Sequence, residues 1–123
     1  MSKAPSSRMR KVNELLREVI AEEAIELKDP RIGFLTITGV DTAPNLRTAR
    51  VFYSVMGDDD QHDATATALK SAAKRFQAAI GRQTRLKYTP VLEFRIDPSI
   101  EHGLRMDALL HDLAEDGEER QHD

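Results

Sequence analysis

Six cations, Lys70, Lys74, Arg75, Arg82, Arg85 and Lys87, lie between Ala64 and Leu92 with no carboxylate among them. In a chain of 123 residues with 21 Asp and Glu, so long a gap in the acids is its most distinctive chemical feature. Ammonium and guanidinium groups in a row neutralise phosphates, and binding of that kind weakens steeply with salt. A second group comprises Arg8, Arg10, Lys11 and Arg17, and Lys28 and Arg31 flank a turn signal. Aromatic residues make up only 5% of the chain. Base-stacking platforms are therefore a poor expectation, and recognition of backbone and shape a better one. The bland reading of the same residues is a cationic helix face kept soluble by water. The absence of any acid favours the nucleic-acid reading.

No catalytic constellation stands beside these cations. The chain has no cysteine, which removes disulfides, thiolate metal sites and thiol nucleophiles together. His62, His102, His111 and His122 show no spacing that would converge on a metal, and they read as solvated surface. Asp58-Asp59-Asp60 is better explained as a charged turn opening a helix than as a magnesium site. The six glycines form no phosphate loop, and no serine sits in a nucleophile elbow. The expectation is a protein without enzymatic activity, cofactor or metal.

The net charge of −3 conceals an asymmetry. Residues 1–105 hold 17 Lys and Arg against 14 Asp and Glu, a net of +3. Residues 106–123 hold Arg120 against seven acids, a net of −6. An acidic tail on a basic body is a recognised form of charge segregation, and such a tail would compete with RNA for the basic face. No apolar run approaches the roughly 18 residues of a membrane span, and no secretory h-region follows the N-terminus. A cytoplasmic, monomeric, single-domain protein is expected.

These side chains need elements to hold them. Met9, Val12, Leu15, Leu16, Val19, Ile20 and Leu27 recur at helical spacing from Arg8 onward, with Ser6 or Ser7 as N-cap. Pro30 and Gly33 end that helix in a turn. Phe34–Val40 and Arg47–Val55 read as two strands of an antiparallel hairpin across Asp41–Asn45. A helical region from about His62 to Gln83, capped by Asp60 or Asp63, has Leu69, Ala72, Ala73, Phe76, Ala79 and Ile80 on its apolar stripe. Val91–Ile96 is a third strand. Ile100, Leu104, Met106, Leu109, Leu110 and Leu113 suit a short last helix. The order α-β-β-α-β plus a terminal helix predicts an α+β fold with helices on one face of a three-stranded sheet.

Three stretches carry a family resemblance: Arg8–Val12, Lys28–Val40 with its Lys-Asp-Pro-Arg-Ile-Gly turn, and Arg85–Asp97 continued by Ser99–Gly103. Together, over roughly residues 6–113, the chain resembles ribosome-binding factor A. The resemblance implies a type II KH-like domain, α-β-β-α-kink-α-β, over residues 7–113, with a flexible segment 1–6 before it and an acidic disordered tail 114–123 after it. It also implies a non-enzymatic factor that binds the small (30S) ribosomal subunit and assists late maturation and processing of 16S rRNA. That family replaces the KH Gly-x-x-Gly loop with an interhelical Ala-x-Gly kink. Here the matching positions are Ala72-Ala73-Lys74, so lysine stands where the family has glycine. The RNA-binding residues expected are Arg8, Arg10, Lys11, Arg31, Lys70, Lys74, Arg75, Arg82, Arg85 and Lys87. The competing reading is a protein-interaction module of similar fold that does not bind RNA.

Overall fold

A computed structural model describes residues 6–98. The expectations for residues 1–5, for the terminal helix from Ile100 to Leu113 and for the acidic tail lie outside the described residues. Ser6 caps the first helix, α1 (Ser7–Glu26), its hydroxyl accepting the Met9 N–H at 3.2 Å. Leu16, Val19 and Ile20 are its buried stripe. In the turn that follows, Asp29 O accepts the Ile32 N–H at 3.0 Å, and the Asp29 carboxylate accepts the Arg31 N–H at 2.9 Å. Pro30 sits at the second position of that turn, where its fixed φ is already correct.

The hairpin forms as the alternation predicts, from β1 (Leu35–Thr42) and β2 (Thr48–Val55). β1 runs two residues past the expected end, because Asp41 and Thr42 pair with Arg50 and Ala49. A bulge between Ile37 and Gly39 shifts the register, which alternation alone does not reveal. β3 (Val91–Ile96) lies parallel to β2, giving a mixed sheet in the order β1-β2-β3.

The long helical region divides into α2 (Asp59–Ser71) and α3 (Ala73–Gln83). Asp58 caps α2, not Asp60 or Asp63; its carboxylate accepts the Gln61 N–H at 2.9 Å. Gly57, at φ +136°, lets the chain leave β2 and enter the helix that early. A Cβ at Gly57 would come within 2.7 Å of the Gln61 side chain.

The break falls at Ala72, with φ −89° and ψ 0°. Its N–H is shared between Ala68 O at 3.0 Å and Leu69 O at 3.1 Å, and its carbonyl starts α3 by accepting the Phe76 N–H at 3.1 Å. This bridging conformation is open to alanine and needs no positive φ. Lys74 lies beyond the break, in the first turn of α3. The interhelical break therefore survives a lysine at the family's glycine position, and it is a true interruption of the helix.

The three helices of the described residues pack on one face of the sheet. Ile37, Val40, Ala49, Val51, Tyr53 and Leu92 point from the strands into a core with Leu16, Ile20, Leu69, Phe76 and Ile80. Phe76 and Phe94 meet at 5.5 Å between centroids, tilted by 51°. Thr36, Arg50, Glu93 and Arg95 occupy the opposite, solvated face.

Because the break does not depend on residue 74, Lys74→Gly should lower stability by about 0.5–1 kcal/mol through helix propensity. Urea titration measures this, and a stabilised variant would show instead that glycine relieves strain there.

Candidate nucleic-acid interface

Three hydrogen bonds gather distant parts of the chain at one end of the sheet. The Thr42 N–H donates to Asn13 Oδ1 at 2.9 Å, fixing the first half of α1 against the end of β1. The Ala43 N–H donates to Thr48 O at 2.9 Å and closes the hairpin. The Val91 N–H donates to Arg47 O at 2.9 Å and brings the start of β3 alongside. α3 reaches β3 through residues 84–90, so its C-terminus and that link arrive at the same end.

Two of the expected cationic groups converge here. Arg8, Arg10 and Lys11 come from the first turns of α1; Arg82, Arg85 and Lys87 come from the end of α3 and the following link. All six are exposed, and none forms an ion pair among the described residues. Lys70 and Lys74 are near the helix break. Lys70 lines a cleft of about 300 Å³ with Ala66, Ala73, Leu92, Glu93 and Phe94, between the break and β3.

Arg31 and Arg75 do not join them. α3 runs antiparallel to α1, so Arg75 at its start meets Glu23 near the end of α1, Nε to Oε1 2.6 Å. Arg31 pairs with Asp29, Nη2 to Oδ2 2.6 Å. Arg17, from the other sequence cluster, is held by Glu14. These three cations are neutralised locally; those at the opposite end are in no ion pair among the described residues. α1 is polar in the same sense. Its first turns hold Arg8, Arg10 and Lys11 with no acid, and its last turns hold Glu22, Glu23 and Glu26 with no base.

The Lys28–Gly33 turn is a structural element. Gln61 on α2 donates its side-chain N–H to Arg31 O at 2.8 Å, and a Cβ on Gly33 would crowd the Gln61 amide at 3.1 Å. One residue that the sequence does not single out belongs to the basic end: Arg47, whose guanidinium carbon lies 4.6 Å from the Tyr88 ring centroid. Its isolation from the acid-free stretch hides it. Only the parallel pairing of β2 and β3 brings the two together.

The family model described as ribosome-binding factor A matches residues 8–110. Ribosome-binding factor A of Geobacter sulfurreducens is 44% identical over 108 residues, covering 87% of this chain and 92% of that protein. The protein of the same description from Rubrobacter xylanophilus is 45% identical over 114 residues, covering 91% and 93%. Among solved structures, the crystal structure of ribosome-binding factor A from Thermus thermophilus matches with TM-score 0.66 at 27% identity, over 72% of this chain and 94% of that one. A Thermus thermophilus ribosome-binding factor A homology model, fitted into a cryo-EM map of its complex with the 30S subunit, matches with TM-score 0.58 at 29% identity, over 68% and 88%.

The Arg31 guanidinium, helped by the Arg31 N–H, holds the Asp29 carboxyl at about 2. A depressed folded-state pKa contributes stability above the ordinary carboxylate range, and that contribution disappears as pH falls toward 2. NMR titration of Asp29 should give a midpoint near 2, and Arg31→Gln should raise it toward about 3.9. A wild-type midpoint already in the ordinary range would show that the pair does not persist in solution.

Proposed function

The chain belongs to the ribosome-binding factor A family, and from that premise we propose that it binds the small (30S) ribosomal subunit through its basic end and assists late maturation and processing of 16S rRNA. The observation that carries this reading is the convergence of Arg8, Arg10, Lys11, Arg82, Arg85 and Lys87 on one end, without ion-pair partners among the described residues. Charges left unpaired among the described residues are available to phosphate oxygens. The N-terminus of α1 adds peptide N–H groups pointing the same way.

Lys70 and Lys74 extend the contact to the helix break, beside the cleft of about 300 Å³ against β3. The factor acts by binding, as a monomer and without enzymatic activity or cofactor, in the cytoplasm where subunits are assembled. It holds or remodels rRNA in the immature particle. Arg31 and Arg75 are secondary contacts, since each must first leave its carboxylate.

Binding to single-stranded and subunit RNA should fall steeply with salt. Arg82→Ala and Arg85→Ala should each reduce the magnitude of the log–log salt slope by roughly 1, across RNA sequences. Arg75→Ala should change it little. Failure to co-sediment with small subunits at low salt, or association indifferent to salt, would overturn the reading. Arg8→Glu provides a second check. An acid in the first turn of α1 should raise stability by about 0.3–1 kcal/mol, while RNA affinity drops. A variant that gains stability and keeps its affinity would remove Arg8 from the interface.

A further inference from the structure

We propose that Arg47 and Tyr88 form a preorganised stacking site for one unpaired nucleobase of single-stranded RNA, with Arg85 and Lys87 beside it for the flanking phosphates. The proposal rests on the RNA-binding reading above and adds to it a contact made with a base.

Its two members come from different loops. Arg47 ends the β1–β2 turn, and Tyr88 belongs to the link between α3 and β3. The guanidinium carbon stands 4.6 Å from the ring centroid, and Lys87 Nζ stands 5.4 Å from the same ring. Tyr88 is 39% exposed. Arg47 is in no ion pair among the described residues. A guanidinium backed by an aromatic ring keeps an outer planar face, weakly hydrated and cationic, on which a base can stack.

The backbone that holds Arg47 is unusually constrained. Leu46, immediately before it, has φ +63°, the only non-glycine residue with positive φ among the described residues. A branched side chain there is disfavoured, and a loop that merely joined two strands would place glycine or asparagine instead. Around this strained residue the Leu46 N–H donates to Ala43 O at 2.8 Å and the Arg47 N–H to Asn45 Oδ1 at 3.0 Å. The Arg47 carbonyl is tied to the Val91 N–H at 2.9 Å. Strain of this kind gathers at sites whose geometry is used. Here it sets the Arg47 backbone beside Tyr88 before any ligand arrives, which lowers the ordering cost of binding.

The test measures affinity of the full chain for a labelled single-stranded oligoadenylate and for the same ribose-phosphate strand lacking its bases, as a function of salt. Wild type should bind the intact strand about fivefold or more tightly than the abasic one, since stacking on one side chain contributes on that scale. Tyr88→Leu and Arg47→Lys should each lose most of that difference. Tyr88→Leu should leave affinity for the abasic strand unaltered, and Arg47→Lys, which keeps the charge, should leave the salt slope unaltered. Equal wild-type affinity for the two strands would overturn the stacking site while leaving phosphate binding intact. So would variants that melt at lower temperature yet discriminate as wild type does, because the pair would then be only a latch between two loops. Absence of salt-dependent binding to either strand would instead overturn the RNA-binding reading from which the proposal starts.

Discussion

The change of direction at Ala72 is the constraint on which the rest of this structure depends. α2 lies over β2 and β3, while α3 lies along α1. One helix of the combined length could not follow both courses. By ending α2 at Ser71 and restarting at Ala73, the chain puts α3 antiparallel to α1 and delivers its C-terminus to the start of β3. Two consequences follow for charge. The start of α3 meets the acidic end of α1, where Arg75 finds Glu23. Its end meets the basic start of α1, where Arg82 finds no acid among the described residues. A single residue in an ordinary bridging conformation thus separates Arg75, paired with Glu23, from Arg82, unpaired among the described residues.

That separation runs against the preference of the helices themselves. A helix favours acids in its first turn and bases in its last, each worth roughly 0.3–1 kcal/mol. α2 obeys, with Asp59 and Asp60 at its start and Lys70 in its last turn. α1 does the opposite at both ends. The charges of α1 are therefore not explained by helix stability, whereas those of α2 are. A binding partner that brings phosphates to the start of α1 turns an unfavourable arrangement into a complementary one. Within the acid-free stretch, Lys70 suits its helix end, while Lys74 in the first turn of α3 does not.

Much of this fold is legible from residue order, and the failures have definite causes. The strands, the helical stretches of the described residues and the Lys28–Gly33 turn all follow from local patterns. The break does not, because Thr65, Leu69, Ala72, Phe76, Ala79 and Ile80 keep a continuous helical period through it. A straight helix satisfies the same sequence. Only the family resemblance points there, to Ala72-Ala73-Lys74, and the break falls on the first of the three. The cap of α2 is displaced from its expected place for a related reason. Gly57 lets the helix begin directly after β2, and a run of consecutive aspartates does not say which one is outermost. The cationic site is legible as a set of residue types. Its division into paired and unpaired members is not, because Arg75 and Glu23 are 52 positions apart.

The part least accessible to sequence reasoning is the one where a loop and a link cooperate. Low aromatic content argues against stacking platforms on average, yet one tyrosine suffices if a second planar group is fixed against it. Parallel pairing of β3 with β2 places Thr48 opposite Val91. The residues that precede those partners, Arg47 and Pro90, then stand at one corner of the sheet, and Tyr88 is two positions further back. No separation along the chain encodes that proximity, since crossovers of many different lengths allow the same parallel pairing. What the sequence does carry is the anomaly beside it. A leucine at the end of a Pro-Asn turn is a poor choice for the left-handed backbone this hairpin uses. Its presence makes sense where the conformation of the following arginine matters more than the ease of the turn.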